Sequence, residues 1–202
     1  MIDSHYEAID AWDKLISTLY GEDGKRQIEI FIERIELGFI HWLPRWTVLV
    51  GKSGTGKTTL DRIIFQMFND IVIPLSGGKP MNYGEYNDGT LGICPDGDFA
   101  AMYEHVTKTW HTPFNYHLLV STNRDVLLPK TYECIEDDGN KIAKFVNTKT
   151  LYFDDIELIH TTGKRFMGPD YRELISSIND GVSELKLYFH EKARVDFMER
   201  RL

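Results

Sequence analysis

The apolar positions Ile9, Trp12, Ile16 and Leu19 recur every three or four residues near the start of the chain, with Asp10, Asp13 and Lys14 on other faces. That spacing predicts an amphipathic helix over residues 6–20. Gly21 and Gly24 break it, and Ile28, Phe31, Ile32, Ile35 and Phe39 then line one side of a second helix that ends before Pro44. The period changes at Trp46-Thr47-Val48-Leu49-Val50, a short unbroken run of strand formers. Helical spacing returns in Leu60, Ile63, Ile64 and Met67 over residues 58–68, and residues 70–75 read as a strand.

Residues 76–90 are rich in Gly, Asn, Pro and Tyr and read as a loop, followed by a short strand over 91–94 and a helix over 99–110. After a strand over 116–122, the turn-forming tetrad Asp137-Asp138-Gly139-Asn140 lies between two strand-like runs, 131–136 and 141–146, which predicts a hairpin. Residues 150–153 form a further strand that ends in two acids; 171–178 read as helix, 184–189 as strand and 193–202 as helix. No repeat or low-complexity segment divides the chain. The pattern predicts an α/β protein with a mostly parallel central sheet over 46–202, a β-rich insertion at about 76–148, and two N-terminal helices within 1–45.

At 202 residues this is one domain with a core large enough to fold without staples. The net charge of −8 repels phosphate backbones at long range, so any anion site must be a local concentration of basic residues. The two cysteines, Cys94 and Cys134, have no metal-ligand spacing, which argues against zinc and makes a reduced, cytoplasmic setting the default. The opening residues lack the basic and apolar regions of a secretory signal, and no apolar run is long enough to span a membrane, so no membrane partner is expected.

The segment Gly51-Lys52-Ser53-Gly54-Thr55-Gly56-Lys57-Thr58 fits the phosphate-loop pattern G-x-x-x-x-G-K-[ST] at every defined position. It follows an apolar strand and opens an amphipathic helix, which is the context the chemistry requires. Glycines let backbone amides wrap closely around phosphates, and the helix N-terminus adds the positive end of its dipole. Gly51, Ser53, Gly54, Thr55, Gly56 and Thr59 would frame ATP, Lys57 would reach its β- and γ-phosphates, and the Thr58 hydroxyl would ligate Mg²⁺. The fold expected is therefore that of a three-layer P-loop NTPase. A glycine-rich turn without a ligand would rarely reproduce the whole pattern in this context.

A metal also needs an acid, and two strands offer one. Leu151-Tyr152-Phe153-Asp154-Asp155 has the form of a Walker B strand, an apolar run whose terminal acid holds Mg²⁺; Asp154 is the direct candidate, with Asp155 or Glu157 able to orient a nucleophile. Asp96-Gly97-Asp98, after a weaker strand that runs into Pro95, is the competing site and ranks lower, with Asp98 better suited to capping the next helix.

Two family resemblances follow. Leu118-Leu119-Val120-Ser121-Thr122-Asn123 resembles the polar strand end called sensor one in AAA+ ATPases and its counterpart in superfamily-three viral helicases, and Leu43-Pro44-Arg45 is similar to the latter group. In those families the acid strand precedes the asparagine strand, an order this chain has only if Asp96 is the metal acid. The second resemblance, over 46–202, is to guanylate kinases and related nucleoside monophosphate kinases. It is carried by Val48 through Leu60, by Ser76, Gly84-Glu85, Gly89, Phe99 and Met102 at about the acceptor-segment spacing, by Phe153-Asp154-Asp155-Ile156, and by Leu185 to Phe189 followed by Arg200-Arg201. Where guanylate kinases carry two acceptor arginines, this chain has only Lys79.

The kinase resemblance is the preferred one. It implies phosphoryl transfer from ATP to a nucleoside monophosphate, with Lys57, Asp154 and Arg200 catalytic, Arg194 or Arg201 as alternatives to Arg200, Ser76, Lys79, Tyr83 and Glu85 at the acceptor, and Thr58, Asp154 and Asp155 on Mg²⁺. The motor resemblance implies an oligomeric ATPase acting on DNA or RNA. A third reading is a nucleotide-binding regulatory module without turnover. His105 and His111 lack metal-ligand spacing and read as packing or surface residues, and the pair Lys164-Arg165, which could contact a phosphate or nucleic acid, reads as solvated loop.

Overall fold

A computed structural model describes residues 3–38, 46–74, 91–97, 117–123, 132–137, 140–145, 150–152 and 156–199. The elements are α1 (Asp3–Glu36), β1 (Trp46–Val50), α2 (Lys57–Met67), β2 (Val72–Pro74), β3 (Leu91–Cys94), β4 (His117–Thr122), β5 (Tyr132–Asp137), β6 (Asn140–Phe145), β7 (Thr150–Tyr152), β8 (Ile156–His160), α3 (Pro169–Asp180) and α4 (Val182–Glu199). The loop expected over 76–90 and the helix expected over 99–110 lie outside the described residues.

Five strands form a wholly parallel sheet in the order β2-β3-β4-β1-β8, and β5-β6-β7 form a separate antiparallel sheet. This is the α/β class expected. Every residue of β1, β3 and β4 is buried, as parallel strands covered on both faces require, and this is why Trp46–Val50 reads as an unbroken run rather than an alternation.

The two N-terminal helices are the halves of α1, which bends at Gly21 (φ 71°, ψ 178°). A break there frees the carbonyls of the preceding turn, and the segment after β8 supplies their donors. The Thr162 amide donates to Leu19 O at 2.7 Å and its hydroxyl to Thr18 O at 3.0 Å. The apolar stripe of each half, from Trp12, Ile16 and Leu19 to Ile28, Ile32 and Ile35, joins one core cluster with α2, α3, α4 and one face of the sheet. Trp12 meets Phe189 of α4 edge-on at 5.3 Å between ring centroids.

Two expectations need correction. Residues 184–189, read as a strand, belong to α4: Leu185, Phe189 and Ala193 are buried at helical spacing, whereas Leu187, which an alternating strand would bury, is half exposed. The strand leading to Asp154 is β7, which pairs with β6 in the antiparallel sheet and not with the phosphate-loop strand. The neighbour of β1 on that side is β8, which the sequence pattern left unassigned.

Candidate functional site

The carboxyl ends of the parallel strands converge where β1 passes into Gly51–Thr58, the edge at which open α/β sheets bind ligands. The Gly51 amide donates to Thr122 O at the end of β4 (3.2 Å), and the Thr161 amide beyond β8 donates to Val50 O (2.9 Å), so the loop leaves the sheet pinned on both sides. Glycine at 51 answers a close approach: a Cβ there would sit 2.0 Å from the Thr161 hydroxyl. Gly56 is required twice over, by a φ of +87° and by Leu19 of α1, whose Cδ1 would lie 2.4 Å from an added Cβ.

α2 starts at Lys57 with no side-chain cap and no acid in its first turn. Its amino-terminal N–H groups and dipole therefore face the loop without a built-in negative partner, an arrangement suited to an anion. The loop is closed by its own side chains. Buried Lys57 donates from Nζ to Gly51 O (2.7 Å) and Lys52 O (2.9 Å), and the buried Thr55 hydroxyl donates to Lys52 O (2.7 Å). Ser53 and Gly54 are exposed and Thr58 is half-buried, while the Thr59 hydroxyl is engaged with Tyr171 Oη at 2.5 Å.

Asp96 follows β3 at the same edge. Cys94 stands level with Val120 and Val120 with Val48, so Asp96 comes off the sheet about level with the start of the loop. Burial pushes the Lys57 ammonium down from its ordinary pKa, and the negative charges of Asp96 and Asp61 oppose that shift. Asn123, exposed, follows β4, which runs between β3 and β1. The loop, Asn123 and Asp96 thus occupy adjacent strand exits, and Asp96 precedes Asn123 in the chain.

The structure does not support the acids ranked higher in the sequence in the same way. Asp154 and Asp155 lie outside the described residues; the next residue, Ile156, stands level with Trp46, at the end of β1 remote from the loop. Four residues of strand separate those two ends, roughly 13 Å. Glu157 is level with Thr47, and burial raises its pKa against the opposing charge of Arg34. Of the remaining candidates, Ser76, Lys79, Tyr83, Glu85, Asp98, Arg200 and Arg201 lie outside the described residues, and Arg194 is an exposed residue of α4.

Sequence reasoning passed over Asp61, a carboxylate on the buried face of α2. Ser121 Oγ donates to its Oδ2 at 2.7 Å, while Oδ1 and the nearby buried Tyr20 hydroxyl have no hydrogen-bond partner among the described residues. Burial pushes this carboxyl up to about 7, the Ser121 hydrogen bond and Lys57 pulling against that and Asp96 adding to it. The signal in the sequence was an acid one helical turn after Lys57, amid Leu60, Ile63 and Ile64.

The oxygen donors present, the Thr58 hydroxyl and the Asp96 carboxylate, suit Mg²⁺, which takes one or two protein carboxylates together with substrate phosphates. Among the described residues no cluster of three potential ligand side chains forms a self-sufficient metal cage.

No protein-family model matches the chain, and no curated protein matches it. Solved structures do: "The apo structure of NrS-1 C terminal region (305-718)" at 14% identity and a TM-score of 0.53, and "The A form apo structure of NrS-1 C terminal region-CTR" at 12% identity and a TM-score of 0.55. Each match covers 90% of this chain and 45% of the other, so this chain spans about half the length of those neighbours. At that identity the likeness establishes the shared fold. Among the described residues no helix is long and apolar enough to cross a membrane.

Proposed function

We propose that the chain is an ATP-hydrolysing module of the motor type, similar in site layout to AAA+ ATPases and superfamily-three helicases, with nucleic acid as the substrate it acts on. The observation that carries this reading is the sequence of strand exits at one edge of the sheet. The phosphate loop, then Asp96, then Asn123 come in the chain order those families require, and Asp96 is close enough to act electrostatically on Lys57. The nucleotide-kinase reading draws its acid from the strand before Asp154, which pairs in the other sheet.

In this reading the amides of Gly51–Thr58 and the α2 N-terminus hold the triphosphate, and Lys57 exchanges its loop carbonyls for phosphate oxygens. Asp96 and the Thr58 hydroxyl would hold Mg²⁺, which when bound neutralises charge on the phosphates. The Asn123 amide would orient the attacking water. Positioning and charge neutralisation supply the catalysis, since phosphoryl transfer asks little covalent chemistry of the protein.

The test is an ADP-release screen with single-stranded DNA, single-stranded RNA, each nucleoside monophosphate, or no addition, beside Lys57→Ala and Asp96→Asn. Release stimulated by nucleic acid and abolished in both variants supports the proposal. Release only with a monophosphate restores the kinase reading, and ATP binding without turnover leaves the regulatory one.

A further inference from the structure

We infer that Arg165 is a phosphate-gripping residue supplied in cis, reaching over the open side of the loop while Lys57 holds it from within. The inference rests on the reading of Gly51–Thr58 as a polyphosphate site and adds a contact that the loop pattern does not contain.

The geometry begins at Gly54, the exposed middle of the loop. A Cβ there would lie 3.7 Å from Arg165 Nε, 3.9 Å from Cδ and 4.0 Å from Cγ, so the arginine stem runs across the outer surface of the loop at that glycine. Arg165 is exposed and makes no hydrogen bond or ion pair with any described residue. An arginine lying against the loop with no carboxylate partner among the described residues retains its full fork of donors for a ligand.

Its position is fixed by anchors on both sides. Upstream, the Thr161 amide donates to Val50 O and that of Thr162 to Leu19 O, tying the chain to the end of β1 and to α1. Downstream, the Phe166 ring packs edge-on against Tyr171 at 5.9 Å between centroids, and Tyr171 Oη shares a hydrogen bond with Thr59 of α2. Gly163 (φ +77°) and Gly168 (φ +114°) turn the chain out and back between these anchors. The neighbouring Lys164 is also exposed but has no such placement, its backbone amide bonding to the Thr162 hydroxyl. The segment is tied at both ends to the elements that frame the loop, and it holds beside Gly54 a guanidinium with no ion-pair partner among the described residues.

The test compares binding of ATP and of AMP by the full chain, measured by calorimetry, for wild type, Arg165→Ala, Arg165→Lys and Lys164→Ala. Because Arg165 is exposed and makes no described hydrogen bond, its variants should melt with the wild type. Arg165→Ala should weaken ATP binding about tenfold or more and AMP binding far less, since the lost contacts are charge-assisted bonds to the phosphate chain. Arg165→Lys should recover only part, as an ammonium lacks the bidentate fork, and Lys164→Ala should stay within about twofold. Unchanged ATP binding in Arg165→Ala, or an equal loss in Lys164→Ala, overturns the inference while leaving the loop reading intact. Absence of ATP binding by the wild type overturns both.

Discussion

Replacing Asp61 by asparagine should stabilise the protein at alkaline pH and leave it nearly unchanged at acid pH. The carboxyl is almost wholly buried, and its pKa is pushed from an ordinary 3.8 to about 7 in the folded chain. Between those values the folded state binds more protons than the unfolded, so stability falls as pH rises through the window and the full cost is present above about 7. A shift of this size corresponds to at most about 4 kcal/mol. In Asp61→Asn the new amide oxygen would still accept the Ser121 hydroxyl, and the side chain carries no charge, so the variant escapes that cost. Urea unfolding from pH 5 to pH 8, with nucleotide and metal absent, should show the variant's advantage over wild type growing by about 2–4 kcal/mol across the range. Taking the difference cancels the contributions that the two proteins share. A difference flat with pH would refute the reasoning, because it would mean that Asp61 is either solvated or firmly paired in the folded chain.

Further substitutions probe the packing around the loop. Gly56→Ala should cost about 1–3 kcal/mol, from a positive φ and the clash with Leu19, and Leu19→Ala in the same chain should relieve the clash but not the backbone strain, as read from urea midpoints. Phe189→Ala should cost about 3–5 kcal/mol and visibly lower the melting temperature, since it empties the site against Trp12 at the centre of the helical layer. Lys192→Met should destabilise by about 1–2 kcal/mol because it strands the buried Glu33 and leaves Glu29 only Lys25, and adding Glu33→Gln should recover part of the loss, a coupling that a double-mutant cycle measures.

What was legible in the sequence was what depends on neighbours along the chain. The β1 run, the loop glycines, Lys57 and the apolar face of α2 stand within about twenty residues of one another, and each carries its own local signal. The bend at Gly21 was legible for the same reason. Misreadings arose where contacts from elsewhere decide. Leu185-Lys186-Leu187-Tyr188-Phe189 has the composition of a strand, yet the core supplied by Trp12 and α1 selects the i, i+4 pair Leu185 and Phe189, and the segment is helical. Ile156–His160 went unassigned because the acids just before it drew the strand assignment to residues 150–153.

The choice between acids shows this most clearly. Asp154 follows the stronger apolar run, and Asp96 follows only Leu-Gly-Ile-Cys and a proline, so any local reading prefers Asp154. Pairing points the other way: β3 lies in register with β4 and β4 with β1, whereas β7 pairs with β6. Strand pairing between segments tens of residues apart leaves little trace in a single sequence. The electrostatics agree with the pairing. Burial alone would make charged Lys57 costly, and the two charges that offset it are Asp96 and Asp61. One lies at the edge where the loop leaves the sheet and the other behind it on α2, so Asp61, whose own burial is costly, works against the cost that burial imposes on the loop lysine.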